Sequence, residues 1–181
     1  MRAALFALIL LVVAGPLAAR QDDTRLEPLF ARLKSATSAF EAAPVEAEIW
    51  AIWSETPDPQ SAGLFARAIE AMGRRDHPAA LEALNELVRR EPNFAEAWNK
   101  RATLYYVIGD YRASVEDIQR TLALEPRHFG ALSGLGLIYL AVNEPEAAVR
   151  SFEAALAIHP YMTGARANVE RLKDELRGAP L

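Results

Sequence analysis

The clearest alternation of apolar and polar positions lies near the end of the chain. Ala165, Val169, Leu172 and Leu176 recur at i, i+4, i+7 and i+11, one stripe of a helix, while Arg166, Glu170, Arg171, Lys173, Asp174, Glu175 and Arg177 cover its other sides. Arg166–Glu170 and Arg171–Glu175 stand at the i,i+4 spacing of helical ion pairs. Gly178, Ala179 and Pro180 end this helix. Upstream, the apolar pattern recurs as a block. Pro92, Pro126 and Pro160 follow one another at intervals of 34 residues and close similar phrases, Leu87–Pro92, Leu122–Pro126 and Leu156–Pro160. With each proline at position 32 of the frame, the units are Ser61–Phe94, Ala95–His128 and Phe129–Met162. Position 4 holds Leu64, Trp98 and Leu132, and position 24 holds Leu84, Ile118 and Phe152. Small residues recur at position 8 (Ala68, Ala102, Gly136) and at position 20 (Ala80, Ser114, Ala148), and position 11 holds Ala71, Tyr105 and Tyr139.

With this alternation of large and small positions the chain resembles the tetratricopeptide repeat family, whose unit is two antiparallel helices. If positions whose numbers sum to about 28 face each other, the small residues at 8 and 20 let the helices approach and the large ones at 4 and 24 fill the wider end. Gly109 in Ile108-Gly109-Asp110-Tyr111 supplies the turn, and each closing proline, lacking an N–H, stops the second helix. The repeat resembles the tetratricopeptide repeat family over residues 61–162, and the run from Trp98-Asn99-Lys100-Arg101-Ala102 to Gly134-Leu135-Gly136 resembles small exported bacterial members of it. The resemblance implies an all-α fold, a right-handed α-solenoid of antiparallel helix pairs. Residues 61–94, 95–128 and 129–162 form the three repeats, 24–60 a divergent N-terminal hairpin, and 163–178 a polar-backed capping helix for the last hydrophobic face.

The departures are informative. Position 27, small in the family, is Leu87, Thr121 and Ala155, and position 7, usually aliphatic, is Arg67, Arg101 and Leu135. Arg101 faces Asp117 at position 23, which predicts an ion pair across the middle hairpin. Arg67 faces Ala83, so its guanidinium is expected to snorkel to solvent or reach Glu46 or Glu48. In the N-terminal hairpin, Phe30, Leu33, Trp50 and Trp53 fall on the same layers of the frame, and the two tryptophans read as core. Thr24 with Glu27 predicts a capping box for its first helix, Pro44 the opening of its second, and Thr56-Pro57-Asp58-Pro59-Gln60 a hinge.

The chain opens with the layout of a secretory signal peptide. Met1-Arg2 precedes an apolar run from Ala3 to Ala14, then the breaker Gly15-Pro16 and the small residues Ala18-Ala19, so residues 1–19 are read as a leader cut after Ala19. An uncleaved anchor is the alternative. The protein is thus expected to be exported and periplasmic, with membrane association if the leader is retained. Composition sharpens this. With 20 basic residues against 24 acidic ones and a net charge of −4, there is no basic field for nucleic acid. The absence of cysteine removes disulfides, thiol catalysis, cysteine-ligated metals and a cysteine-borne lipid anchor. Part of the excess of 35 alanines is explained by the small positions of the repeats.

No catalytic, cofactor or metal motif emerges. His77, His128 and His159 fall in turns without a partner set and read as solvent-facing. Gly134-Leu135-Gly136 lacks both a third glycine and a preceding strand, and Ser133 has no nucleophile elbow. The family resemblance implies instead that first-helix residues line a concave groove, here Phe65, Ile69 and Met72 from the first repeat, Asn99, Lys100, Thr103 and Tyr106 from the second, and Ser133 and Leu137 from the third. The places where relatives clamp a terminal carboxylate hold Phe65, Ile69, Gly130 and Gly134, leaving Lys100 alone. The expected ligand is therefore a protein or peptide segment such as an amphipathic helix or a hydrophobic strand, unless the N-terminal hairpin fills the groove itself. The expected function is a non-catalytic scaffold or adaptor in the bacterial cell envelope. A membrane-anchored assembly subunit and a small enzyme with an unrecognised site are the alternatives.

Overall fold

The computed structural model describes residues 23–56 and 58–178, so the leader at 1–19 and Pro57 lie outside the described residues. Helices follow one another without strands among those residues: α1 (Leu26–Ser35), α2 (Ala39–Trp53), α3 (Pro59–Gly73), α4 (His77–Arg90), α5 (Ala95–Ile108), α6 (Tyr111–Leu124), α7 (Phe129–Ala141), α8 (Pro145–Ile158) and α9 (Thr163–Leu176). None of them is long and apolar enough to cross a membrane. The pairs α3/α4, α5/α6 and α7/α8 each occupy one 34-residue frame, and α9 covers the last of them. Ala165, Val169 and Leu172 of α9 are buried against Ala148, Val149 and Phe152 of α8, while Leu176 is 45% exposed. Arg171 pairs with Glu175 at 2.8 Å, but Arg166 donates to the Pro160 carbonyl at 2.5 Å instead of reaching Glu170.

The turn inside each repeat is the same object built from different residues. Position 15 is left-handed in all three, at Arg75 (φ 58°), Gly109 (φ 83°) and Asn143 (φ 60°). The next N–H in each, Asp76, Asp110 and Glu144, bonds back to the carbonyl of position 11 at 2.8–2.9 Å, which closes the first helix as a Schellman turn does. Asp76 and Asp110 then cap the second helix through the N–H of Ala79 and Ala113.

The register within the pairs is about one turn away from the expected opposition of 4 with 24. Leu64 clusters with Leu87 and Val88, while Leu84 joins Ala68 and Ala71. Position 8 meets position 20 as expected, since Ser114 Oγ donates to the Ala102 carbonyl at 2.7 Å. Position 8 also lies under position 24: a Cβ on Gly136 would stand 2.7 Å from the Phe152 ring. The predicted Arg101–Asp117 pair is present and bidentate, at 2.7 and 2.8 Å, and Arg101 reaches on to Asn85 of the preceding repeat at 2.8 Å. Burial works against the Arg101 charge, but the bonds to Asp117 outweigh it and raise its pKa. Arg67 is exposed, taking the solvent alternative; Glu48 pairs with Arg32 and Glu46 turns elsewhere.

The N-terminal hairpin differs most from expectation. Helix α1 starts at Leu26 without a side-chain cap, and Asp23, not Thr24, accepts the Arg25 N–H. Helix α2 starts at Ala39. Ser38 Oγ accepts the Glu41 N–H and Glu41 accepts from Thr37, so the capping exchange lies here, and Pro44 sits inside the helix instead of opening it. The expected hinge is a cap as well: Asp58 accepts the N–H groups of Gln60 and Ser61 and a long bond from Arg90 at 3.4 Å. The Ser61 hydroxyl, foremost among these bonds, holds the Asp58 carboxyl down to about 2.

Nor does the hairpin stack on α3 as a fourth unit of the same layers. Its core, Leu26, Leu29, Phe30, Leu33, Ala42, Val45, Ile49, Ile52 and Trp53, closes over Phe129 and Ala155 of the third repeat, with Leu132, Ile158, Tyr161 and Met162 around it. Arg127–Glu27 at 2.7 Å and Tyr161 Oη to the Ala36 carbonyl at 2.9 Å tie the edges.

Candidate functional site

Where α2 meets the start of α5 and α7, four polar groups form a closed set. Glu96, fully buried, forms an ion pair through Oε1 with Lys100 Nζ at 2.8 Å, and its Oε2 hydrogen-bonds the Asn99 amide at 2.9 Å and His128 Nε2 at 3.0 Å. His128 Nδ1 accepts the Ala131 N–H at 3.0 Å, capping α7, so in the neutral ring the proton sits on Nε2 and is donated to Glu96. Burial would raise the Glu96 pKa, but the His128 bond and the Lys100 charge more than offset it and hold the carboxyl below its ordinary value.

Aromatic rings roof this set. Trp53 stacks on His128 at 4.2 Å and 9°, Trp50 meets the same ring edge-on at 5.4 Å, and Lys100 lies 5.4 Å over Trp50. Trp50 Nε1 donates to Glu46, whose other oxygen meets His159 Nε2 at 3.1 Å. His128 and His159 are therefore buried, contrary to the expectation of solvent-facing turns: as turn residues at repeat ends they face the returning hairpin, which supplies the ring that stacks on one and the carboxylate that binds the other. His77 begins α4 and is half-buried.

Beyond Trp50, a hollow of about 220 Å³ opens between α5, α6 and α7. Five of the nine expected groove residues line it: Asn99, Thr103, Tyr106, Ser133 and Leu137. The other four do not. Lys100 is drawn to Glu96 and Trp50; Phe65 turns onto Phe94 at 5.4 Å; Met72 packs on the α3/α4 core; Ile69 stands exposed away from the hollow. The expected polar centre is satisfied within the chain, since Asn99 bonds Glu96 and Thr103 Oγ1 bonds the Asn99 carbonyl at 2.9 Å. Met162 completes the rim and was not expected there. Its frame column is the signal: Phe94, His128 and Met162, all at position 34, precede α5, α7 and α9 and turn inward. No cluster of three metal-ligating side chains occurs among the described residues.

Stacked helix pairs with a lined hollow between first helices define an α-solenoid of repeats. Residues 65–109 and 99–163 match the tetratricopeptide repeat model, and the chain belongs to the tetratricopeptide repeat family. A TPR repeat-containing protein of Rhizobium etli is 35% identical over 95 residues, 52% of this chain and 47% of that protein, so this chain spans about half the length of the curated relative it matches. Among solved structures, the first TPR of Spaghetti (RPAP3) bound to an HSP90 peptide superposes with a TM-score of 0.63 at 18% identity, covering 66% of this chain and 96% of that one. The Sgt2 TPR domain from Aspergillus fumigatus gives 0.63 at 21%, covering 68% and 83%. MamA gives 0.61 at 21%, with 88% of this chain and 85% of that chain covered. These likenesses establish the fold.

Proposed function

We propose that the protein is a non-catalytic scaffold or adaptor that holds an amphipathic helical segment of a partner protein against the hollow between α5 and α7. The observation that carries this reading is that the chain's own helix α2 already lies across the start of α7. It does so through Trp50, which occupies the space left by the missing side chain of Gly130. The same surface continues past it as Thr103, Tyr106, Ser133, Leu137 and Met162, mostly apolar, with Leu137 36% exposed. Contacts of this kind suit the apolar face of a helix, with Tyr106 and Leu137 as anchors. A free carboxylate finds little here, because Lys100 is already paired with Glu96. The solved TPR bound to an HSP90 peptide is a precedent for segment binding on this fold.

The test uses a fluorescent amphipathic Leu/Lys helical peptide and the full chain. Binding is expected to weaken at least tenfold in Leu137→Glu with the melting temperature unchanged; equal binding by both proteins removes the reading. The leader layout of residues 1–19 supports a cell-envelope setting for this activity, and the exported protein is then expected to have the intact mass of a chain beginning at Arg20.

A further inference from the structure

Because the N-terminal hairpin closes over the third repeat, the outer face of the first one is open. A trough of about 970 Å³ runs along α3 and α4, lined by residues including Gly63, Arg67, Arg74, Ala79, Glu82 and Glu86, with no residue of α1 or α2 among them. The frame indicates what belongs on such a face. Arg67 and Arg101 occupy the same position 7 in successive repeats. Arg101 is held by Asp117 of its own pair and by Asn85 of the preceding pair, at 2.8 Å each for Nη2 and Nη1. Arg67 has Ala83 where Arg101 has Asp117, and no pair precedes it in the stack, so among the described residues it makes no ion pair. Glu82, exposed on α4 of the same trough, makes none either.

We propose that this face binds a second copy of the chain, two α3/α4 pairs meeting face to face about a two-fold axis. With the axis parallel to the helices, α3 of each copy lies over α4 of the other. Helix α3, which presents Arg67 beside the internally paired Glu70 and Arg74, then meets α4, which presents Glu82 beside Glu86, itself paired with Arg89, so that Arg67 faces Glu82 twice over by symmetry. The opposite arrangement, α3 on α3, would set Arg67 against itself. Gly63, Ala79 and Ala83 leave the floor low enough for helices to approach. The contact is separate from the hollow between α5 and α7, so it survives failure of the proposed function and the reverse.

Sedimentation of the full chain over a concentration series tests it. A monomer–dimer equilibrium is expected, with Arg67→Glu and Glu82→Arg each raising the dissociation constant at least tenfold. An equimolar mixture of the two variants should dimerise again, since both contacts then join opposite charges. Leu137→Glu should leave the dimer intact. A monomer at every concentration overturns the proposal. So does association that ignores both charge reversals, the outcome expected if residues 1–22 or the hollow hold the copies together.

Discussion

Trp50 of α2 fills the space above Gly130 of α7: a Cβ at Gly130 would lie 2.7 Å from Cη2 and 3.1 Å from Cζ2 of the indole. The hairpin's position over the third repeat depends on that absent methyl. Gly130→Ala forces either the ring or the hairpin outward, and overpacking of this kind costs about 1–3 kcal/mol. Chemical denaturation should show the loss together with a red-shifted tryptophan emission. Combined with Trp50→Leu, the same substitution should cost less than the sum of the two single changes.

Gly136 and Phe152 make the same bargain inside the last repeat. Alanine is native at the equivalent position in the other two, Ala68 and Ala102, where position 24 carries Leu84 and Ile118. At Gly136 a Cβ would stand 2.7–2.8 Å from three atoms of the Phe152 ring. Gly136→Ala alone should destabilise by about 1–3 kcal/mol. Adding Phe152→Leu, which converts the pair to the alanine–leucine combination of the first repeat, should recover part of that. A thermal double-mutant cycle measures the coupling.

Arg75 holds a left-handed backbone, φ 58°, at the position where the second repeat uses Gly109. An L side chain there carries a steric penalty of about 1–2 kcal/mol. Arg75→Gly should therefore stabilise the protein by about 0.5–1 kcal/mol, after the extra freedom of glycine in the unfolded chain is counted. The midpoint of urea unfolding reads this directly.

The buried Glu96 carboxylate ties acid stability to the hairpin. Its folded pKa lies below the ordinary value of 4.5 because the His128 bond and Lys100 outweigh burial. A group lowered on folding contributes stability that is complete above its unfolded pKa and lost as pH falls through the folded one. Glu96→Gln should destabilise by about 1–3 kcal/mol near neutral pH. The gap between the two proteins should narrow as pH drops below about 4.5. Unfolding free energies measured across that range check the sign.

The three helix pairs are legible in the sequence because proline, the small residues at 8 and 20, and the large ones at 24 recur in one frame. The Arg101–Asp117 pair is legible for the same reason: two residues of one pair have a fixed geometry. The path of α1 and α2 is not. Their amphipathic pattern states that a face is buried but not against which repeat, and contacts such as Glu46–His159 join residues 113 apart. The burial of His128 and His159 follows from that long-range closure, so a local reading places them in solvent. Of the candidate site, Asn99, Thr103 and Tyr106 on α5 and Ser133 and Leu137 on α7 come together, whereas Lys100 turns to Glu96 and Phe65 and Met72 belong to the core of the first repeat.

A photo-crosslinking residue placed at Leu137, with a control at the exposed Arg112 of α6, tests partner binding in the hollow most directly when the full chain is expressed in its own cells. A discrete protein adduct at Leu137, absent at Arg112, is the predicted result. No adduct at Leu137, or the same adducts at both positions, would contradict it.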